Sequence, residues 1–64
     1  MSDEARAAIK QAYDIGNAAY EQYGEDCIAT DVPDFIELRN SGHVKAGRLL
    51  RAFNDGMDAA AGVS

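Results

Sequence analysis

Apolar and small residues recur at helical spacing from Asp3 to Tyr23. Ile9, Tyr13, Gly16, Tyr20 and Tyr23 step by 4, 3, 4 and 3, and Ala5, Ala8, Ala12, Ile15 and Ala19 flank them at 3, 4, 3 and 4. At about 100° per residue this spacing gathers both sets on one side of a helix over about residues 3–23, with Asp14, Glu21 and Glu25 opposite. Ser2 or Asp3 suits the N-cap, Asp3 and Glu4 suit the positive end of the helix dipole, and Gly24 suits a left-handed C-terminal stop. Ala8, Ala12 and Gly16 form a track of small residues along which another backbone can approach closely.

The pattern then shortens. Asp31-Val32-Pro33-Asp34 reads as a helix start, with Asp31 capping and Pro33 in the first turn. The helix that follows, about residues 32–40, turns Phe35, Leu38 and Ile36 inward and stops at Asn40-Ser41-Gly42. A third helix, about residues 43–61, carries Ala46, Leu49, Leu50, Phe53, Met57, Ala60 and Ala61 on one face. Arg48, Arg51, Asp55 and Asp58 take its other face, where Arg51 and Asp55 are spaced for a pair worth about 0.3 kcal/mol. Asn54-Asp55-Gly56 is a second candidate for its end. Residues 1–64 thus read as one small all-α domain of a long, a short and a long helix. The long helices pair as a hairpin and the short one crosses one end.

Composition changes this picture in one respect. Hydrophobic residues make up 47% of the 64 residues, but many are alanines, so the core is thin. A chain of this size buries about 60% of its unfolded surface, and burial roughly offsets chain entropy. A lone Cys27 and a lone His43 supply no disulfide and no zinc site, so the fold is expected to be completed by oligomerisation or by a partner. The start of the chain has no apolar signal-peptide segment and no stretch is long enough to span a membrane; the expected location is the cytoplasm.

Charge is the most informative feature. Asp14, Glu21, Glu25, Asp26, Asp31, Asp34 and Glu37 follow one another with no Lys or Arg between Gln11 and Leu38, whereas Arg39, Lys45, Arg48 and Arg51 follow with no Asp or Glu among them. The folded surface should therefore have an acidic and a basic region. With a formal charge of −5, direct binding to nucleic acid or to an anionic membrane is disfavoured, and a protein with a basic surface is the expected partner. Rigid lines of carboxylates at intervals of about 5–10 Å imitate a phosphate track and can occupy a Lys/Arg groove built for nucleic acid. Read otherwise, the run is a solvated surface that keeps the protein soluble.

Tyr13, Tyr20 and Tyr23 belong to the core or, if exposed, to a dimer or target interface, since each combines a large rigid area with a hydroxyl that tolerates water. Cys27 reads as a small buried hydrophobe. Ser41 and His43 lack a third group for nucleophilic catalysis, no carboxylate cluster has metal-ligand spacing, and the glycines form no phosphate loop. No enzyme, metal or cofactor is expected. A rival constellation is Phe35 to Asn40, a Gly-containing turn, and a helix beginning with His43, Lys45, Arg48 and Arg51, which has the form of a helix-turn-helix. It would make the protein a small dimeric DNA-binding regulator or antitoxin, although the net charge opposes this.

In size, acidity and helical simplicity the chain resembles the small proteins with which bacteriophages and mobile elements disable host machinery, anti-CRISPR proteins and other DNA-mimic inhibitors among them. That resemblance is one of kind and rests on no motif. It implies an inhibitor that occupies a basic, nucleic-acid-binding surface of a host protein. The alternatives are the DNA-binding regulator and a structural or assembly subunit that completes its core against a larger protein.

Overall fold

In the computed structural model, which describes residues 2–62, the chain forms α1 (Asp3–Tyr23), a 3₁₀ turn (Ala29–Asp31), α2 (Pro33–Asn40) and α3 (Ala46–Ala61), with no strand among the described residues. The Ser2 side chain accepts a hydrogen bond from the Ala5 N–H at 3.1 Å and so fixes the start of α1. Gly24 ends it at a positive φ of 85°, but ψ of −169° is extended and not the left-handed helical stop expected. The chain leaves α1 directly into a connector whose 3₁₀ turn points Ala29 and Val32 inward and leaves Ile28 59% exposed.

The cap of α2 differs from expectation. Asp31 is spent in the 3₁₀ turn, where its N–H bonds the Ile28 carbonyl, and Val32 takes the N-cap position with no side-chain hydrogen bond. Pro33 at the first position needs no such partner, because proline lacks an N–H. At the far end the Ser41 hydroxyl donates to the Leu38 carbonyl, and Gly42 at φ 77° turns the chain away. The third helix starts at Ala46, not at residue 43. His43 and Val44 remain in the connector, and Lys45 is the N-cap, extended at ψ 142°. The helix passes through Gly56 without interruption and ends at Gly62, left-handed at φ 81° and ψ 15°.

The principal packing unit is α1 against α3, as the two long amphipathic patterns anticipate. The pair is made at backbone contact. A Cβ on Gly16 would collide with the Phe53 carbonyl oxygen and lie 2.8 Å from its carbon; a Cβ on Gly56 would collide with the Tyr13 carbonyl oxygen and lie 3.1 Å from the Asn17 nitrogen. Each glycine thus turns a Cα–H toward a carbonyl of the other helix, a weak hydrogen bond that closely packed helices use. The Asn17 amide adds a conventional bond, Nδ2 donating to the Gly56 carbonyl at 3.2 Å.

This close approach decides which residues form the core. The stripe centred on the contact is Ala8, Ala12, Gly16 and Ala19 on α1 and Leu49, Ala52, Phe53, Gly56 and Met57 on α3, all buried. The bulkier neighbours are rotated to the flanks. Tyr13 is 38% exposed, Tyr23 58% and Leu50 44%, so the core reading of the first two tyrosines named and of Leu50 does not hold. Tyr20 is half-buried against the core, while Ala46 and Ala61 are exposed. The expected Arg51–Asp55 pair does not form; among the described residues the one ion pair joins His43 Nδ1 to Glu4 Oε2 at 3.6 Å.

Phe35, Leu38 and Val32 close the core from α2, and Ile36 stays half-exposed. The rings of Phe35 and Phe53 meet edge to face at 5.3 Å and 73°. The short helix does not cap one end of the long pair. It runs back along α1, from the neighbourhood of Gln22 and Tyr23 to that of Glu4 and Ala8. The chain is thereby returned to the start of α1, where Val44, Lys45 and Arg48 lie beside Ala5. α3 then advances in the same general direction as α1, Ala52 and Asp55 lying beside Ile9 and Tyr13. No helix among the described residues is long and apolar enough to cross a membrane.

Candidate functional site: an acidic groove along the first two helices

Because α2 lies along only one flank of α1, a groove remains between them. Its first section is lined by Glu4, Gln11, Ile15, Asp34, Glu37 and His43, and its second by Gln11, Asp14, Ile15, Tyr23, Pro33 and Asp34. A third section continues past Tyr23 to Asp26, Cys27, Ile28 and Asp31. The first two sections share Gln11, Ile15 and Asp34, and the second and third share Tyr23, so the three adjoin as an acidic trough; at His43 the first section also adjoins a pocket lined by Lys45 and Arg48. Neither Lys nor Arg lines any section, and His43 at one end is the sole group able to carry positive charge among the lining residues.

The carboxylates predicted from sequence are thus largely brought together. Asp14, Asp26, Asp31, Asp34 and Glu37 line the trough, whereas Glu21 and Glu25 are exposed outside it. Glu4 joins them without having been anticipated, since it precedes the uninterrupted acidic run. Its signal was the spacing of Glu4, Gln11 and Ala18 at i, i+7 and i+14, which places all three on the flank of α1 that meets α2. Glu4 also holds His43, so this pair ties the start of α1 to the connector leading into α3. The bond is ionic only when His43 is protonated.

The tyrosines separate. Tyr23 stands in the acidic trough, while Tyr13 lies on the opposite flank of α1 with Ile9 and Ala52, bordered by Arg6, Lys10 and Asp55. Lys45, Arg48 and His43 gather beyond that patch, around Ala5 and Val44. The acidic and basic regions expected from the sequence are thus both present, and they adjoin at His43, which lines each. The rival helix-turn-helix reading loses part of its geometry, because His43 and Lys45 precede the third helix and His43 is engaged with Glu4.

No group of three or more His, Cys, Asp or Glu side chains among the described residues is arranged to hold a metal ion. Cys27 is half-buried, and its Sγ lies 3.9 Å from the Ile28 carbonyl. Burial, and secondarily the Asp31 carboxylate, push its thiol above the ordinary value, which opposes formation of the reactive thiolate. Iodoacetamide at pH 8 is expected to alkylate Cys27 more slowly than free cysteine, and Asp31→Asn to raise the rate. Labelling followed by mass spectrometry checks both.

No protein-family model, curated protein sequence or solved structure matches the chain.

Proposed function

We propose that the protein is a non-enzymatic inhibitor that binds a protein partner through the acidic trough, occupying a basic surface that otherwise holds nucleic acid. The observation that supports this reading is the gathering of the carboxylates: Glu4, Asp14, Asp34, Glu37, Asp26 and Asp31 line three adjoining sections, none of which is lined by Lys or Arg. A surface that merely kept the chain soluble would mix both signs, as the patch where Arg6 and Lys10 stand with Asp55 does. Asp34 and Glu37 are one helical turn apart on α2 and Asp31 precedes them, so their charges are held by backbone at intervals of about 5 Å. Such an array attracts a Lys/Arg groove, accelerates encounter, and replaces nucleic acid with an equivalent release of counterions. An inhibitor of the phage anti-defence kind would work in this way.

The decisive comparison uses the immobilised protein, bacterial lysate and two charge-reversal variants. Proteins retained by the native chain should be released both by salt and by duplex or single-stranded nucleic acid. Asp31→Lys, Asp34→Lys and Glu37→Lys combined should weaken retention at least about 100-fold, because each contact changes from attraction to repulsion. Reversal of Asp55 and Asp58, which lie outside the trough, should leave retention within about threefold. Retention that is indifferent to nucleic acid, or that survives the triple reversal, would refute the reading. A mobility shift of DNA by the protein itself, lost in Arg48→Ala with Arg51→Ala, would establish the DNA-binding regulator in its place.

A further inference from the structure

The trough is more than a charged surface, because its floor is apolar. Ala7, Ile15, Ala18, Tyr23 and Pro33 line it between the carboxylates, and its first two sections have volumes of about 640 and 390 Å³. Glu4 and Asp14 stand on the α1 side of this floor, Asp34 and Glu37 on the α2 side. Along α1, Ala7, Gln11, Ala18 and Gln22 follow one another at intervals of 4, 7 and 4, a single helical stripe that stays exposed.

Resting on the reading of the trough as the face that meets the partner, we propose that what enters it is a basic amphipathic α-helix of that partner. An apolar stripe of that helix lies on the floor, and its Lys or Arg side chains reach both rims. Charge selects the sign of the occupant, since six carboxylates and no Lys or Arg line the three sections. Backbone chemistry selects its form. Between the rims the floor offers apolar side chains and the amides of Gln11 and Gln22, too few partners for the N–H and C=O groups of an extended segment, whereas a helix satisfies its own. Length follows from the same residues. From Ala7 to Gln22 α1 rises about 22 Å, room for about four turns of a second helix. Past His43 the adjoining pocket is lined by Lys45 and Arg48, so a basic helix ends there. Two acidic rims beside a floor stand in for the two lines of phosphates beside a major groove, which also admits a helix.

Three synthetic peptides of about 16 residues and identical Lys and Leu composition test this, one with Leu at helical spacing, one with Lys and Leu alternating and one scrambled. Fluorescence anisotropy of each labelled peptide with the full chain should give a dissociation constant on the order of 10 μM for the helical pattern and at least about tenfold weaker binding for the other two. Circular dichroism should show the helical peptide gaining helix as it binds. Ala7→Gln with Ala18→Gln covers the floor with polar bulk and leaves the charge unchanged; it should weaken the helical peptide about tenfold. Both positions are exposed and Gln sustains a helix, so the variant itself should keep its helicity.

Equal binding of the three peptides would overturn the proposal, as would tightest binding of the alternating one or a floor variant that binds as the native chain does. A dimer of the native chain in sedimentation, lost in the floor variant, would give the groove to a second copy and overturn it too. Peptides that bind alike but are all released by the combined reversal of Asp31, Asp34 and Glu37 would remove the helical occupant and leave the acidic binding face standing. A helical peptide that binds as expected, while nucleic acid fails to displace the proteins retained from lysate, would uphold the groove and refute the inhibitory reading.

Discussion

Gly16→Ala and Gly56→Ala are each expected to destabilise the protein by about 3 kcal/mol or more, the reverse of what a helix interior ordinarily shows. Alanine in place of glycine in an open helix stabilises it by about 1 kcal/mol, because glycine loses more backbone entropy on folding. Here the added methyl meets backbone, Phe53 at Gly16 and Tyr13 with Asn17 at Gly56, and neither can yield as a flexible side chain would. Relief requires α1 and α3 to separate, which also opens the Asn17–Gly56 hydrogen bond and loosens packing along the seam. Overpacking of an ordinary core costs about 1–3 kcal/mol; contact against backbone belongs at or above the top of that range. In a domain this short each kcal/mol lowers Tm by about 4–8 °C, so losses of roughly 12–24 °C should be seen in a thermal melt. Gly47→Ala is the internal control. Nothing lies within 4 Å of a Cβ at Gly47, so this substitution in the first turn of α3 should be neutral or stabilising. Equal effects at the three positions would mean that α1 and α3 do not meet at Gly16 and Gly56.

Phe53→Ala should remove about 3–5 kcal/mol, enough to leave much of the population unfolded at 25 °C. Phe53 and Leu49 are the two largest fully buried side chains, and Phe53 is the point at which all three helices meet. Its backbone fills the notch at Gly16 while its ring receives the edge of Phe35 from α2. Few bulky side chains stand nearby to collapse into the space, since the facing stripe of α1 is Ala8, Ala12, Gly16 and Ala19. Phe35→Ala should be milder, and a double-mutant cycle on the two rings should give a coupling of about 1 kcal/mol from the edge-to-face contact. Chemical denaturation of the four proteins measures it. A coupling near zero would show that α2 is held by Val32 and Leu38 and not by the aromatic pair.

Local signals carried much of the fold. The 3.6-residue spacing from Asp3 to Tyr23, Ser2 before it and Gly24 after it place α1 correctly, because cap and period agree and Gly24 ends the helix, although in an extended and not a left-handed helical conformation. Pro33 and Ser41-Gly42 bracket α2 in the same way. The start of α3 is not marked locally, because its N-cap, Lys45, makes no side-chain hydrogen bond to the first turn. Passage of α3 through Asn54-Asp55-Gly56 could not be read locally either. That tripeptide resembles a stop, and what keeps it helical is the α1 backbone against which Gly56 rests.

The candidate site divides along the same line. The run of carboxylates from Asp14 to Glu37 is a property of the sequence, and so is its separation from Arg39, Lys45, Arg48 and Arg51. Assembly of Asp14, Asp34 and Glu37 with Glu4 around one trough is a property of the tertiary structure, because it depends on α2 folding back along α1. The tyrosines make the point most sharply. Helical periodicity places Tyr13, Tyr20 and Tyr23 beside the small-residue track and cannot say which of the two stripes is buried. The choice is made by a second helix whose own glycine allows backbone contact, which favours the small side chains at the centre and turns Tyr13 outward. Helix content, end signals and charge order are nearest-neighbour properties and were legible in the chain. The rotation of each helix about its axis, and with it the residues offered to a partner, was decided only where Gly16 and Gly56 meet.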